Sequence, residues 1–168
     1  NWYKIAAKKN FALAIKTNGT LWAWGRGNSG QLGQNNAGDY SSPVQVGGRD
    51  WWASVPCGYE HSLGVTTSGE LYAWGYNNNG QLGQGNTTSR SSPVQVGALT
   101  TWLKVAASRY SSFALKTDGT LWSWGRNSDG QLGLGNRTNY SSPVQVGTLT
   151  TWDSIAGGYM QTLAITKS

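Results

Sequence analysis

Apolar residues alternate with polar or small ones in short runs, and the runs recur at a fixed step. Phe11-Ala12-Leu13-Ala14-Ile15-Lys16-Thr17 is followed by Asn18-Gly19 and then by Leu21-Trp22-Ala23-Trp24-Gly25. The same succession returns at His61 to Thr67, Ser68-Gly69 and Leu71 to Gly75, and again at Ser111 to Thr117, Asp118-Gly119 and Leu121 to Gly125. Runs of this length, bounded by Gly, Asn and Ser, predict β-strands. Asn-Gly and Asp-Gly favour the positive φ angles of a tight two-residue hairpin, so the two runs of each set are expected to pair antiparallel. A shorter run precedes each set: Lys4 to Ala7, Ser54 to Cys57, Lys104 to Ala107 and Ser154 to Gly157. A fourth follows at Val44 to Val46, Val94 to Val96 and Val144 to Val146, directly after Pro43, Pro93 and Pro143. Proline is tolerated there if it opens the strand or if the strand lies on a sheet edge. No stretch keeps helical periodicity over three turns.

Matching residues sit fifty positions apart without insertion, as Trp2, Trp52, Trp102 and Trp152 show. Units therefore span 1–50, 51–100 and 101–150, and 151–168 carries the first two strands of a fourth. Four strands at a period near 50 predict β-propeller blades. The expected class is all-β, with three full blades of four antiparallel strands and a partial fourth. Closed propellers use about 4–8 blades, so the chain is expected to be a segment of a longer array. Its expected partners are further repeat units of the same chain or, second, copies of itself.

Composition changes this picture little. Low charge and ten Trp argue against disorder, because such a chain can bury enough apolar surface to order itself. No apolar run reaches the 18 residues of a membrane span, so no membrane insertion is expected. The net charge of +6 lies in repeated slots, Lys4 with Lys104, Lys16 with Lys116 and Arg26 with Arg126, where the middle unit has Ser54, Thr66 and Tyr76. Slots spread over a unit are solvated surface rather than a phosphate-tracking groove, so no nucleic-acid partner is expected. A single cysteine, Cys57, excludes an intramolecular disulfide and reads as a small buried thiol.

Candidate chemistry is sparse. Gly25-Arg26-Gly27-Asn28-Ser29-Gly30 has the spacing of a dinucleotide loop, but the residues after it make a poor helix. The units at Gly75 and Gly125 carry Asn77 and Asn127 in place of the middle glycine, so a recurring turn accounts for all three. His61 with Cys57 is conceivable as base and nucleophile, but a strand-bound interior thiol lacks the exposed electropositive setting that reactivity needs. The seven acidic residues form no repeated pair, and no metal-ligand spacing appears. Hence neither an enzyme, a cofactor nor a metal is expected. Trp22, Trp24, Trp74, Trp122 and Trp124 read as core rather than as a ligand-binding set, because the inner strands of stacked blades need large apolar groups on both faces.

Gly-Thr-Leu-Trp-Ala-Trp-Gly, Asn-x-x-Gly-Gln-Leu-Gly and Ser-Pro-Val-Gln-Val resemble the regulator of chromosome condensation repeat family. The resemblance covers essentially the whole chain. It implies a propeller, seven-bladed in the founding members, and a His in the slot of His61 that ties the loop before it. It also implies the alternative function, guanine-nucleotide exchange on a small GTPase. That activity depends on an inserted β-wedge, for which the strict fifty-residue spacing leaves no room. The near-identical, Ser/Thr/Asn-rich units are more similar to the family's bacterial and phage surface proteins, which points to a secreted, cell-surface or virion setting.

One loop varies between otherwise repeated strands. Between the first two strands of each unit stand Lys8-Lys9-Asn10, Gly58-Tyr59-Glu60, Ser108-Arg109-Tyr110 and Gly158-Tyr159-Met160. Binding residues are typically mounted on loops held by a rigid scaffold, and Tyr and Arg are frequent interface anchors. Lys9, Tyr59, Glu60, Arg109, Tyr110 and Tyr159 are therefore the candidate binding residues, for a protein or glycan partner.

Overall fold

The computed structural model describes residues 1–167. Among these described residues there is no helix, and the regular elements are all strands. The first sheet contains β1 (Trp2–Lys8), β2 (Phe11–Lys16), β3 (Leu21–Gly25) and β4 (Tyr40–Gln45). The second contains β5 (Trp52–Ser54), β6 (His61–Thr66), β7 (Leu71–Gly75) and β8 (Arg90–Gln95), and the third β9 (Trp102–Ala107), β10 (Ser111–Lys116), β11 (Leu121–Gly125) and β12 (Tyr140–Gln145). The last two strands, β13 (Trp152–Gly157) and β14 (Thr162–Thr166), form a two-stranded sheet. Within each sheet the strands are hydrogen-bonded in chain order and antiparallel, as in a propeller blade.

The second and third strands of each blade pair as expected, Ile15 opposite Leu21 and Phe11 opposite Gly25. The turn between them is not a two-residue hairpin. The Gly19 N–H donates to the Lys16 carbonyl and the Lys16 N–H to the Thr20 carbonyl, and only Gly19 has positive φ, +79°. This is a three-residue loop whose glycine supplies the left-handed step of a bulge. Asn18 stabilises it through Oδ1, which accepts from the Thr20 hydroxyl at 2.7 Å.

Two further expectations need correction. The fourth strand begins at Tyr40, and Pro43 lies inside it. The register jumps from Ala23 opposite Val44 to Gly25 opposite Tyr40, so Pro43 sits in a bulge on the outer edge, where its missing N–H costs no ladder bond. Val46 falls just past β4, but its N–H still donates to Leu21. Cys57 is not on a strand either. β5 stops at Ser54, because Pro56 cannot donate to the ladder, and Cys57 makes only an isolated bridge to Ser62.

Blades pack face to face. Leu13, Ile15, Leu21 and Ala23 of the first blade form one core cluster with Trp52, Val55, Tyr72 and Trp74 of the second. Leu63, Val65, Leu71 and Ala73 of the second do the same with Trp102 and Trp124 of the third. The first two Gly-Gln-Leu-Gly turns latch onto the next blade. The Gln31 carbonyl accepts from the Ser62 hydroxyl and the Trp74 indole, at 2.8 and 2.9 Å. The Gln81 carbonyl accepts in the same way from Ser112 and Trp124, at 2.7 and 2.9 Å. Trp74 and Trp124 are completely buried. The faces without a neighbour are bare: Trp2 is 51% and Ile5 70% exposed on the first blade, and Leu163 is 71% and Ile165 64% exposed on the last sheet.

Candidate functional site

The four loops that join the first and second strands of successive sheets lie side by side. Backbone bonds staple them: the Tyr59 N–H donates to the Arg109 carbonyl at 3.2 Å, and the Arg109 N–H to the Tyr159 carbonyl at 2.9 Å. Lys8 reaches across, its ammonium donating to the carbonyls of Ala107 and Gly158 at 3.3 and 2.8 Å. Burial lowers the pKa of Lys8, and the two carbonyls supply acceptors in place of water.

The side chains converge on Arg109. Its guanidinium carbon lies 5.0 Å from the Tyr59 ring centroid, 4.9 Å from Tyr110 and 5.1 Å from Tyr159. Tyr59 meets Tyr110 and Tyr159 edge-on, with centroids 6.1 and 6.0 Å apart. Lys9 also stands over the Tyr59 ring, at 4.0 Å from its centroid, and pairs with Glu60. The adjacent Tyr110 side chain raises the guanidinium pKa above its already high ordinary value, so this positive charge is permanent. Cations within about 6 Å of a ring centroid are attracted by its negative face. All six candidate residues therefore join one cation–aromatic cluster. Tyr76, on a different loop, extends it through a tilted contact with the Tyr110 ring, centroids 5.9 Å apart. It was legible in the sequence only as the odd occupant of the Arg26 and Arg126 slot. Tyr159, at 51% exposure, is the most open ring of the cluster.

The other chemical candidates do not assemble. His61 is completely buried in β6, and its Nε2 stands 3.0 Å from the Ser112 hydroxyl. That hydroxyl has one proton and gives it to the Gln81 carbonyl, so His61 Nε2 carries the proton in this contact. Burial pushes the His61 pKa down to about 3, so the ring is neutral. Cys57 faces the Ala6 carbonyl at 3.6 Å, and burial pushes its thiol up to about 12. A neutral thiol and a ring committed to Ser112 make no nucleophile–base pair. At Gly27 to Gly33 the chain forms successive turns, not a helix, so no dinucleotide loop forms. Among the described residues no three His, Cys, Asp or Glu side chains gather as a metal site. Among the described residues no helix is long and apolar enough to cross a membrane.

The regulator of chromosome condensation (RCC1) repeat model matches residues 18–65, 68–115 and 118–165. A second model of the same repeat matches 2–31, 52–81 and 102–131. The chain belongs to the RCC1 repeat family. Each 18–65-type match begins at the hairpin of one blade and ends in the second strand of the next. The ultraviolet-B receptor UVR8 of Arabidopsis thaliana is 37% identical over 60 residues, 34% of this chain and 14% of the relative. Human WBSCR16 superposes with a TM-score of 0.87 at 22% identity, over 100% of this chain and 45% of that one. Prp20p from Saccharomyces cerevisiae, described with its binding properties to Gsp1p and histones, gives a TM-score of 0.88 at 21% identity, over 99% of this chain and 44% of that one. The RCC1-type propeller fold is thus shared at low identity, and this chain spans less than half of each of these relatives.

Proposed function

We propose that this RCC1-repeat chain is a non-enzymatic propeller scaffold that binds a protein partner through Lys9, Tyr59, Glu60, Arg109, Tyr110 and Tyr159. The observation that carries this reading is the placement of Arg109 over three tyrosine rings contributed by successive blades. Rigid aromatic rings and an Arg held among them are the side chains on which interface energy concentrates. The fourth-strand segment repeats as Ser-Ser-Pro-Val-Gln-Val in all three full units, while these loop residues differ from unit to unit. Completion by further repeat units, or by a second copy, belongs to the same reading, because faces that mate inside the molecule are bare on the first and last sheets. A secreted, cell-surface or virion setting rests on the resemblance of these Ser/Thr/Asn-rich units to the family's bacterial and phage surface proteins.

The test is capture of partners by the intact chain, beside Arg109→Ala and the control Arg126→Ala. A partner kept by the control and lost by Arg109→Ala supports the site. Partners captured equally by all three forms overturn it. The alternative reading, nucleotide exchange, rests on the family resemblance. Accelerated release of a fluorescent guanine nucleotide from a small GTPase would favour it over the scaffold reading.

A further inference from the structure

Far from the loop cluster, a groove of about 560 Å³ opens between the outer strands of the second and third blades. Trp102, Trp122, Leu99 and Pro143 form much of its apolar wall, and Lys116 and Arg90 supply its charge. The Lys116 ammonium lies 3.8 Å from the Trp122 centroid and 5.0 Å from that of Trp102. Among the described residues neither Lys116 nor Arg90 enters an ion pair, and no carboxylate lines the groove. The nearby Asp118 carboxylate is taken up by the Thr120 N–H and hydroxyl, at 3.0 and 2.6 Å. Arg90 contacts only a neutral acceptor, its Nε donating to the Gln84 amide oxygen at 3.4 Å. Trp102 is 3% exposed, and its indole N–H has no acceptor. The groove thus combines an apolar wall, two cations and a buried donor, and it lacks an anion.

The equivalent place one blade earlier provides an internal control. There Arg49 occupies the position of Leu99, and its guanidinium lies 5.4 Å from the Tyr72 centroid and 3.4 Å from the Tyr72 hydroxyl. Thr66 stands where the later blade has Lys116, and Tyr72 where it has Trp122. Trp52, the counterpart of Trp102, also has an unpartnered indole N–H. That donor is therefore common to both junctions. What distinguishes the later junction is the exchange of the Arg49 plug for Leu99, 47% exposed, and the arrival of an ammonium on the indole wall.

We propose that this groove binds an organic carboxylate carried on an aromatic or branched apolar body. Lys116 and Arg90 hold the carboxylate, while Trp122, Leu99 and Pro143 pack on the apolar part. A volume of this size lies within the usual range of small-ligand sites, about 300–1,000 Å³. Charge-assisted bonds to a carboxylate are stronger than neutral ones, particularly beside apolar walls that exclude water. The same chemistry is offered by a free aryl carboxylic acid and by the C-terminal Phe of a peptide.

The test uses the intact chain and the indole N–H resonances in a ¹H–¹⁵N spectrum, with that of Trp102 assigned through Trp102→Phe. The probes are 3-phenylpropionate, its neutral amide, and acetyl-Ala-Ala-Phe with a free or an amidated C-terminus. The expected result is a saturable shift of the Trp102 resonance with 3-phenylpropionate or the free-carboxyl peptide, and none with the amides. Tighter binding of the peptide identifies a polypeptide terminus as the source; tighter or equal binding of the small acid identifies a free metabolite. Lys116→Thr and Leu99→Arg import residues that the preceding blade already tolerates. Lys116→Thr should weaken binding by about tenfold or more, the scale of one lost charge-assisted contact, and Leu99→Arg should weaken it by filling the groove as Arg49 does beside Tyr72. Absence of a saturable shift, equal shifts with acid and amide, or unchanged affinity in both variants overturns the proposal.

Discussion

Gly83 and Gly133 occupy the same place in the same Gly-Gln-Leu-Gly turn, fifty residues apart, and live in opposite surroundings. Gly83 is buried: a Cβ there would lie 2.7 Å from the Trp124 indole nitrogen. Gly133 is exposed, and its Cβ would meet only the Val146 side chain, at 3.5 Å. The contrast extends along the turn. A Cβ on Gly80 would lie 2.6 Å from the Ser141 Cα, whereas one on Gly130 would meet nothing within 4 Å. Both turns keep the same left-handed glycines, so their conformation does not depend on the neighbour. Their close approach does. The turn chemistry thus serves two purposes, backbone shape within a blade and clearance for the next blade, and only the second separates these regions.

The largest way to sharpen this contrast is to remove a latch tryptophan. Trp124→Ala empties a completely buried site and should cost about 3–5 kcal/mol in denaturant unfolding. Trp24 holds the same position on the bare face of the first blade, is half-buried, and has no carbonyl partner for its indole. Trp24→Ala should cost less than about half as much. Equal losses would show that the two faces do not differ in solution.

Acid should attack the sealed side next. The pKa of His61 is about 3 in the folded chain, against an ordinary 6.5. Below pH 6.5 the unfolded chain takes up a proton that the folded chain refuses. The contribution is fully present above pH 6.5 and is lost as pH falls toward 3, by about 1.4 kcal/mol per pH unit at most. His61→Gln, which imports the residue found at 161, should flatten the stability profile between pH 6.5 and 4. A profile unchanged by the substitution would remove His61 as the cause.

Ser112→Ala deletes the donor to Gln81 and the acceptor of His61, and should cost about 1–3 kcal/mol. Thr162 has the equivalent position on the last sheet, where its hydroxyl is without a partner. Thr162→Ala should change stability by less than about 0.5 kcal/mol. A further contrast is the difference between Gly83→Ala and Gly133→Ala. Both strain a left-handed backbone, but only the first also overpacks against the Trp124 indole edge, which should add about 1–3 kcal/mol. Thermal or denaturant midpoints of the two single variants give this difference directly.

Much of the fold was legible because the governing interactions are local or repeated. Leu21-Trp22-Ala23-Trp24 marks an inner strand, Asn18-Gly19 marks its entry, and the fifty-residue step says that blades stack. The misreadings fall where one blade constrains itself across its own sheet. Whether Pro43 opens β4 or lies within it depends on a bulge opposite Ala23 to Gly25, and composition near the proline does not encode that. Pro56 shortens β5 and strands Cys57 outside it. The candidate loop was legible as a segment that varies at a fixed place in every unit. That Arg109 would sit among Tyr59, Tyr110 and Tyr159 was not, since it follows from how closely successive blades are set. Tyr76 joins from another loop, and no spacing along the chain links the two.

The offset between the sequence match and the blade has a consequence for how such a chain can lengthen. A matched segment such as 18–65 carries the outer half of one blade and the inner half of the next. It therefore contains both the Gln31 carbonyl and the Ser62 hydroxyl that donates to it. Copying any fifty-residue stretch in frame, wherever the copy begins, inserts one donor set and one acceptor set together. Growth by duplication then leaves no latch unmatched within the array, and the new blade is covalently continuous with both neighbours from the moment it is made. Loop residues such as Lys9, Tyr59 and Arg109 lie outside that latch, so copies are free to diverge there while the stack is preserved.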